Sequence, residues 1–434
     1  MGRAWAAAAI AALTLAPSAQ AGSWTRVTGV PASDRTTADA GLARTPDGML
    51  HLLYARGGGI FKRAISADAR RLGAERQVAA FAGGANPSVA LVAGPAGLRA
   101  FFAGLQDGPV DRVLATSSSA DGRAWTPAAP VSRGTAPYAA SGIAAALGID
   151  GTPLSAWGSA GEGYHVGLDP AAGDGAFPTA GVSGPAAAVD SETGQAVLAW
   201  ERVGPGHITA QALVPPSAPL MIPGSGASQA LHRVGATGRI GAPGVYVAYT
   251  AGANEFTGRA AVWRFGAATG TPVSTPGARH VTIAAAPEGR LWVLWDRDGR
   301  IYARRSDRAA ATWGRLVTAP APKRTRAVHD LAGEGSRGPL DVLALAERPG
   351  GAGQWHSRLL PGLALETKSK RGRVTLTVTD AGEPVRGVTV RIGGLRAKRT
   401  GRAGAVRFAL PRGRYRARAV KGGYSPLSAG VRVR

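Results

Sequence analysis

The chain has 434 residues, too long for one ordinary domain and enough for two or three. With 45% hydrophobic and 18% charged residues it can bury a sizeable core, and it is not a disordered polyelectrolyte. Its 63 glycines and 30 prolines follow no collagen-like period, which indicates many tight turns between short strands. The absence of cysteine excludes disulfide frameworks, thiolate zinc sites, iron–sulfur clusters and cysteine nucleophiles.

The N-terminus has the pattern of a secretory signal peptide. Met1-Gly2-Arg3 is followed by an apolar run and by Ala19-Gln20-Ala21, a small-x-small cleavage site. A membrane anchor is the alternative, but about 13 apolar residues cannot span a hydrocarbon core of ~30 Å. No cysteine follows the run to carry a lipid. We therefore expect cleavage after Ala21 and a secreted, extracellular protein.

The net charge of +24 is concentrated at the C-terminal end. Residues 364–434 contain 18 Lys and Arg against 3 Asp and Glu. One interpretation is a surface that binds polyanions, and the other is a solvated surface of a highly soluble protein. The charges alternate along predicted strands and few aromatic residues accompany them, which favours the second interpretation over nucleic-acid recognition.

A unit of about 45 residues recurs along the chain. Each copy has a strand of small residues, a Gly-containing turn and an alternating strand that ends in an aromatic residue. These terminal aromatics are 48, 55, 43, 49 and 46 residues apart: Tyr54, Phe102, Trp157, Trp200, Tyr249 and Trp295.

This period predicts an all-β fold, a six- or seven-bladed β-propeller with seven favoured. An array of two-sheet sandwiches is the alternative. The segment after Ser23-Trp24 is similar to the outermost strand of a unit without its own blade, so we expect it to complete the last blade and close the ring. Trp157, Trp200 and Trp295 are expected in the core between blades.

The segment Ser117–Trp125 resembles the Asp-box, or bacterial neuraminidase repeat, of sialidase-like propellers. Its matching residues are Ser119, Asp121, Gly122 and Trp125, which such families use structurally, away from the catalytic face. Degenerate copies start at Ser66 and Ser306. The resemblance covers roughly residues 22–361.

Catalysis in sialidases uses a Tyr nucleophile with a Glu base, an acidic general acid/base and three arginines. The Arg-Ile-Pro signature of the family is absent. Two Tyr/Glu pairs could be drawn from the sequence: Tyr164 with Glu162, and Tyr246 or Tyr249 with Glu255. The alternative is that these residues are solvated side chains in Gly-rich loops. The resemblance therefore implies a scaffold without assigned catalytic residues.

A propeller ligand would lie where the second strands of the blades end and the first strands begin. The candidates after second strands are Arg56, Glu162, Tyr164, Glu201, Arg202, Glu255, Asp296 and Arg297. Those at the start of first strands are Asp39, Asn86, Tyr138, His280 and His329. Trp-Glu-Arg at 200–202 and Trp-Asp-Arg at 295–297 form a plausible sugar-binding set, or else ordinary surface ion pairs. The seven His have no metal-ligand spacing, so neither a metal nor a cofactor is predicted.

The composition changes after residue 361 to regular period-2 alternation, typical of a small antiparallel sandwich. The segments Gly382–Val390, Thr400–Leu410 and Gly413–Tyr424 resemble the carboxypeptidase regulatory-like (prealbumin-like) domain. This Ig- or prealbumin-like resemblance implies a spacer or binding module without catalytic residues.

The sequence thus predicts a signal peptide over 1–21, a propeller over 22–361 and a β-sandwich over 362–434. The leading hypothesis is a secreted, monomeric, non-catalytic protein that binds an extracellular glycan or cell-envelope component. An exo-acting sialidase-like glycoside hydrolase and a polyanion-adhesive surface protein are the alternatives. No specific nucleic-acid partner and no transmembrane segment in the mature chain are expected.

Overall fold

The computed structural model describes residues 23–30, 40–56, 59–80, 88–106, 112–131, 142–159, 163–167, 175–177, 182–202, 206–225, 234–252, 256–370 and 372–433. Every regular element in these ranges is a strand. Nothing in them is a helix of the length and apolarity that a membrane crossing requires. The predicted signal peptide lies outside the described residues.

The first four sheets of the chain are antiparallel and four-stranded. Strand β1 (Thr25–Val30) precedes them. In chain order their strands are β2 (Ala40–Arg44), β3 (Leu50–Arg56), β4 (Gly59–Ile65) and β5 (Arg76–Ala80); β6 (Val89–Gly94), β7 (Gly97–Gln106), β8 (Arg112–Ser119) and β9 (Ala129–Pro130); β10 (Ile143–Leu147), β11 (Pro153–Ser159), β12 (Gly163–Gly167) and β13 (Gly175–Phe177); β14 (Val182–Val189), β15 (Ala196–Arg202), β16 (His207–Val214) and β17 (Leu220–Met221).

Three further sheets of the same kind follow, and the last of them includes the N-terminal strand. Their strands are β18 (Gly235–Gly238), β19 (Val245–Ala251), β20 (Arg259–Arg264) and β21 (Thr271–Pro272); β22 (Arg279–Ala285), β23 (Leu291–Arg297), β24 (Arg300–Arg305) and β25 (Val317–Pro320); β26 (Ala327–Glu334), β27 (Leu340–Arg348) and β28 (Gly351–Leu359). Strand β1 pairs antiparallel with β28 and becomes the outermost strand of the seventh sheet. The predicted closure by the N-terminal strand is confirmed.

The first strands of successive sheets contact one another in a closed cycle, β2–β6–β10–β14–β18–β22–β26 and back to β2. Small residues permit this close approach. A Cβ on Gly41 would lie 2.6 Å from the backbone nitrogen of Leu91 in the next sheet, and one on Gly235 would lie 2.9 Å from that of Ile283. The all-β propeller fold predicted from the sequence is confirmed.

The core of the ring lies between neighbouring sheets. Trp157, Trp200 and Trp295 are each less than a tenth exposed, and each belongs to an apolar cluster that joins its own sheet to the preceding one. The ring's closure is packed in the same way, because Trp24 packs against the cluster of the sixth and seventh sheets and donates from Nε1 to the carbonyl of Pro320 at 2.8 Å. The side chains of Trp157, Trp200 and Trp295 thus stabilise the ring and are not exposed to a ligand, and Trp24 stabilises its closure.

The C-terminal segment forms two more sheets, which we call the C-terminal sandwich. Strand β30 pairs with β29, β31 and β34 in one sheet, and the other has the order β33-β32-β35-β36. Their alternate side chains form one shared core, from Leu363 to Val433, that is separate from the cores of the ring. The strands are β29 (Ala364–Lys370), β30 (Arg373–Asp380), β31 (Glu383–Pro384), β32 (Thr389–Ile392), β33 (Lys398–Arg399), β34 (Ala405–Ala409), β35 (Gly413–Val420) and β36 (Leu427–Val433).

The C-terminal sandwich contacts the sixth sheet of the ring through buried ion pairs, which we call the docking cluster: Arg290, Arg305, Asp380 and Glu383. Asp380 accepts hydrogen bonds from Arg305 and lies 3.6 Å from Nη1 of Arg290, while Glu383 accepts from Arg290. The side chains of Arg290, Arg305 and Asp380 are 8%, 9% and 2% exposed. Two acidic residues of the C-terminal sandwich thus neutralise two buried arginines of the ring.

Candidate functional site

The ring has two ends, and the sequence analysis placed a ligand at one of them. We call this the mouth end, where the second strands of the sheets end and the first strands begin. The opposite end, which carries the turns between first and second strands, is called the turn end. Strands β22 and β23 of the sixth sheet and β26 and β27 of the seventh are described throughout, and they carry the most informative residues.

Two His–carboxylate pairs lie at equivalent places of the mouth end. In the sixth sheet Nδ1 of His280 lies 2.7 Å from Oδ1 of Asp296. In the seventh, Nε2 of His329 lies 3.0 Å from Oε2 of Glu347. Each imidazole comes from the start of a first strand and each carboxylate from the end of the second strand beside it. The two first strands, β22 and β26, contact each other.

Irregular strand pairing explains why both histidines turn toward the carboxylates. The register between β22 and β23 shifts between Arg279 and Thr282, and the register between β26 and β27 shifts between Val328 and Asp330. Such bulges re-aim a side chain and are common beside functional sites. His280 also has a φ of +44°, in the left-handed region that costs a non-glycine residue about 1–2 kcal/mol.

Each pair leaves polar atoms within reach of a ligand. The side chains of His280, His329 and Glu347 are 20%, 19% and 22% exposed, and that of Asp296 is 8% exposed. An ionised carboxylate can only accept a hydrogen bond, so it fixes the ring nitrogen that carries the proton. The other nitrogen of a neutral imidazole then has a lone pair that can accept a hydrogen bond.

An exposed aromatic ring lies next to the first pair. Phe256 is 71% exposed, in the segment that joins the second and third strands of the fifth sheet, and this segment belongs to the mouth end. The guanidinium of Arg279 lies 5.9 Å from its ring centroid, and Arg279 immediately precedes His280. A flat apolar surface and a set of hydrogen-bonding groups are therefore adjacent.

The predicted mouth residues of the sixth and first sheets do not all face one ligand. Asp296 turns to His280, whereas Arg297 donates to the hydroxyl of Thr275 at 2.5 Å and to the carbonyl of Pro276 at 3.0 Å. Arg56 pairs with Glu75 at 2.6 Å, just before the outermost strand of its sheet. Asp296 and Arg297 therefore do not pair with each other as the surface ion pair of the alternative interpretation.

The remaining predicted residues belong to the third and fourth sheets. Glu201 lies opposite Ser183, beside a register shift like those of the two His–carboxylate pairs. Tyr164 and Arg202 lie in strands β12 and β15, but their side chains are not among those described. Glu162 and Glu255 lie outside the described residues, as do Asp39, Asn86 and Tyr138 from the starts of first strands.

Sequence reasoning missed Glu347 and Phe256. A seventh copy of the recurring unit begins at Gly338. In it, Ala346-Glu347-Arg348 repeats the acid–Arg pattern of 201–202 and 296–297, so aligning this copy would have found Glu347. The absence of the terminal aromatic in that copy obscured the match. Phe256 is one aromatic residue in a Gly-rich segment, and nothing in its local sequence distinguishes it.

Two of the tyrosines considered for sialidase-like catalysis, Tyr246 and Tyr249, are held inside the ring. Burial raises the pKa of Tyr249 to about 12, and its hydroxyl donates to the carbonyl of Pro223 at 2.7 Å. Tyr246 is buried near the turn end. A Tyr–Glu contact that the sequence did not predict joins Tyr54 to Glu75 at 2.6 Å, but this Tyr is fully buried, and burial raises its pKa.

The residues of the Asp-box resemblance form a turn between β8 and β9 at the turn end. Oδ1 of Asp121 accepts hydrogen bonds from the backbone nitrogens of Arg123 and Ala124, at 2.7 and 3.3 Å. Ser119 lies 3.4 Å from the same carboxylate, Gly122 has a φ of +69°, and Trp125 packs partly buried against the cluster of the first two sheets.

Neither a metal centre nor a ligand cavity elsewhere in the described residues offers a second candidate site. They include no group of three or more His, Asp and Glu that could hold a metal ion. A cavity of about 420 Å³ lies at the turn end, between Arg44, Gly94 and Arg337. Its charged groups are engaged within the chain, since Arg44 donates to Glu334 and Asp341, and Arg337 donates to the carbonyl of Pro46.

Comparisons with known proteins do not assign this chain to a family. No family model matches the sequence, and no curated protein matches it. Among solved structures, the Neurospora crassa Pan2 WD40 domain is 11% identical, with a TM-score of 0.47 over 77% of this chain and 94% of that one. Kuenenia stuttgartiensis hydrazine synthase is 13% identical, with 0.46 over 70% and 91%. YCF48 from Cyanidioschyzon merolae is 14% identical, with 0.44 over 78% and 98%. No conclusion about activity follows from likeness at this level.

Proposed function

We propose that this chain is an extracellular carbohydrate-binding protein without catalytic activity, and that its ligand lies at the mouth end of the sixth and seventh sheets. The observation that carries the proposal is the repetition of a His–carboxylate pair in two neighbouring sheets. Both pairs occur at bulged first strands, and one His has a left-handed backbone conformation. Strain and irregular pairing at one place are typical of a binding site.

The chemistry of this end suits a sugar. Sugar hydroxyls donate and accept hydrogen bonds, and carboxylates beside imidazoles offer several acceptors to such hydroxyls. The exposed ring of Phe256 offers an apolar surface on which the C–H face of a sugar can lie. A glycan of the cell envelope and a soluble extracellular glycan would both meet these requirements.

Binding without hydrolysis fits the described groups better than a glycosidase. A glycoside hydrolase places two carboxyl groups on either side of the scissile bond, or a Tyr nucleophile beside a Glu base in sialidases. Here Asp296 and Glu347 are each engaged by an imidazole. The hydroxyls of Tyr54 and Tyr249 are bonded inside the ring. Loss of an added glycan is nevertheless a measurable outcome of the test below.

The family relationships suggested by the sequence belong to the same proposal. The carboxylate-capped turn at Asp121 supports an Asp-box and hence a sialidase-like ring. Two sheets around one core, with tight turns at Gly382 and Gly387, support a carboxypeptidase regulatory-like relationship for 362–434. Export is supported by the pattern of 1–21, and N-terminal sequencing of the protein from the culture medium should begin at Gly22.

Glycan-array binding at raised salt tests the proposal, because salt suppresses attraction due to the net charge of +24. The wild type is compared with Phe256→Ala and Asp296→Asn. Met221→Ala is the matched control, since this side chain is 63% exposed on the outermost strand of the fourth sheet, at the outer rim of the ring and two sheets away from the proposed site.

We expect binding to one class of glycan and a loss of about tenfold or more for Phe256→Ala and Asp296→Asn, the equivalent of ~1.4 kcal/mol. The Met221→Ala protein should bind like the wild type. Absence of glycan binding, or equal binding by all variants, would refute the proposal. Disappearance of a terminal sugar from the array would refute the part of it that excludes catalysis.

A further inference from the structure

The last 50 residues of the chain contain no acidic residue. From Val385 to Arg434 there is no Asp or Glu, while 14 Lys and Arg occur there. This segment supplies the entire sheet β33-β32-β35-β36 of the C-terminal sandwich. One sheet of the protein is therefore built without any residue that could neutralise its own arginines.

The strand register places a cluster of five arginines from β32, β35 and β36 on the outer face of this sheet, and Arg399 of the edge strand β33 lies on the same face. Arg414, Arg416 and Arg418 alternate along β35 with inward-facing residues, so they point outward together. Arg391 on β32 lies directly opposite Arg418, and Arg432 on β36 directly opposite Arg414. All five are exposed, and we call them the arginine face: Arg391, Arg414, Arg416, Arg418 and Arg432.

The guanidinium groups of the arginine face have no partner among the described residues. Other cations near the edges of the sandwich do have one, because Nζ of Lys398 donates to the carbonyl of Arg407 and Nζ of Lys421 to that of Arg386. Like charges directly opposite each other destabilise a sheet. Two such pairs, Arg391–Arg418 and Arg414–Arg432, oppose folding without a gain elsewhere in the chain.

The other sheet of the sandwich arranges its charges differently. Its outer row Lys368–Thr375–Arg407 separates two cations with a threonine, and Glu366 lies two residues from Lys368. Its contact with the ring comes through Asp380 and Glu383. The arginine face belongs to the sheet without these acids, and that sheet contacts the ring through Tyr424, in the segment between β35 and β36, whose hydroxyl lies 3.2 Å from Nη2 of Arg305. The five arginines themselves are exposed, so a second molecule can reach them.

We propose that the arginine face binds a linear acidic polysaccharide. Successive arginines of β35 are about 6.8 Å apart along the strand, and those on neighbouring strands are about 5 Å apart. The grid therefore offers a regular row of sites to a chain with regularly repeated charges. Arginine suits this ligand because its planar guanidinium binds a carboxylate, sulfate or phosphate group through two parallel hydrogen bonds.

Two other polyanions fit this face less well. Single-stranded nucleic acid is bound with aromatic residues on which bases stack, whereas Tyr415, the aromatic residue of β35, packs against the core on the inner side. Attachment to an anionic membrane normally adds Trp, Phe or Leu beside the cations. The exposed large apolar residues of this sheet and its turns are Val420, at the end of β35, and Leu395, between β32 and β33, each 39% exposed, and neither lies between the arginines.

The test compares two variants of equal charge in the full-length mature protein. In the first, Arg391, Arg414, Arg416, Arg418 and Arg432 are replaced by Gln. In the control, the replacements are at five exposed arginines of the ring: Arg70, Arg71, Arg76, Arg123 and Arg264. The probes are polygalacturonate and heparin oligosaccharides, random-sequence single- and double-stranded DNA, and phosphatidylserine vesicles. Dissociation constants are measured between about 50 and 200 mM NaCl.

We expect the face variant to bind the acidic oligosaccharides at least tenfold more weakly, with a salt slope smaller by about 3 because counterions at five arginines are no longer released. The control should stay within about twofold of the wild type. Equal losses in both variants would overturn the proposal in favour of net charge. Tighter binding of DNA or vesicles at this face would also overturn it. Binding of neutral glycans tests the mouth end separately, because those ligands have no anionic group that the guanidinium groups of the arginine face could bind.

Discussion

The docking cluster and the arginine face treat arginine in opposite ways. The first buries arginines of the ring against acids of the C-terminal sandwich, and the second exposes arginines of the sandwich itself. In the docking cluster, Arg290 and Arg305 are less than a tenth exposed, and Asp380 and Glu383 neutralise them. On the arginine face five guanidinium groups are exposed and the sheet that carries them has no acid. The first arrangement holds two domains together, and the second leaves charge available for a ligand.

The difference follows from the cost of removing a charge from water. A buried guanidinium without a counter-charge would cost several kcal/mol, so the chain must supply its partner. An exposed one keeps its hydration, and an added surface partner would contribute about 0–1 kcal/mol. Unpaired arginines on a surface are thus tolerated by the fold, and their clustering can be explained by binding rather than by stability.

Among the substitutions that test this comparison, Asp380→Asn should lower the free energy of unfolding most. It removes the counter-charge shared by two buried arginines, and we expect a loss of about 3–5 kcal/mol in the free energy of unfolding. Urea denaturation measures it. Asp298→Asn is the control, because the 83% exposed Asp298 makes a surface pair with Arg297 at 3.4 Å. A loss no greater than that of the control would show that the docking cluster does not stabilise the fold.

Asp341→Asn tests whether a buried carboxylate inside the ring contributes as much to stability as Asp380 does in the docking cluster. Asp341 lies between the first and seventh sheets and accepts from Arg44, Arg358 and His356. Burial opposes its ionisation, but hydrogen bonds from His356 and Arg358 hold its pKa below the usual value. We expect a loss of about 3 kcal/mol in the same denaturation experiment. A neutral result would mean that ring closure depends on apolar packing alone.

His51 is a buried basic side chain that is neutral at neutral pH, unlike the arginines of the docking cluster and of the arginine face. It is 3% exposed, and burial together with the charge of Lys62 lowers its pKa to about 4. The unfolded chain, with a His pKa near 6.5, then binds this proton more readily than the folded chain. Stability should therefore fall as the pH drops from about 6.5 to 4, by no more than ~1.4 kcal/mol per pH unit for one proton.

The matched variant is His51→Asn, followed by denaturant midpoints across the same pH range. Asp341, whose pKa is lowered, loses its contribution below about 4, outside this window. The variant should be less dependent on pH between 6.5 and 4. An unchanged pH profile would show that other groups cause the dependence.

The smallest effect on stability is expected from the five Gln replacements on the arginine face. Removing two directly opposed like-charge pairs should leave the free energy of unfolding unchanged or raise it by up to about 1 kcal/mol. The thermal midpoint of the variant checks this. A clear loss of stability would mean that these side chains make contacts that support the sandwich, which contradicts their interpretation as unpaired.

Much of the fold could be predicted because its signals are local. Alternation along strands, turn glycines such as Gly48 and Gly151, with φ of +90° and +81°, and the recurring unit all act within a few dozen residues. The unmatched strand after Trp24 predicted a pairing across the whole chain, with β28, because a closed ring leaves no free edge.

The candidate site could be predicted only in part. Its position at the mouth end and the residues His280, His329 and Asp296 follow from the repeat. Their pairing depends on bulges that no local pattern announces. The seventh copy of the unit lacks its aromatic, so Glu347 was overlooked although the same geometry recurs there.

The amino-acid sequence by itself determined the strands, the turns, the recurring unit and the acid-free composition of the last sheet, because each depends on neighbours in the chain. Only the tertiary structure decided which charges are paired. Arg290 and Asp380 are far apart in sequence and adjacent in space, whereas Arg414 and Arg432 meet across two strands with no acid between them. Electrostatic energy depends on distance and burial, and both are properties of the folded chain.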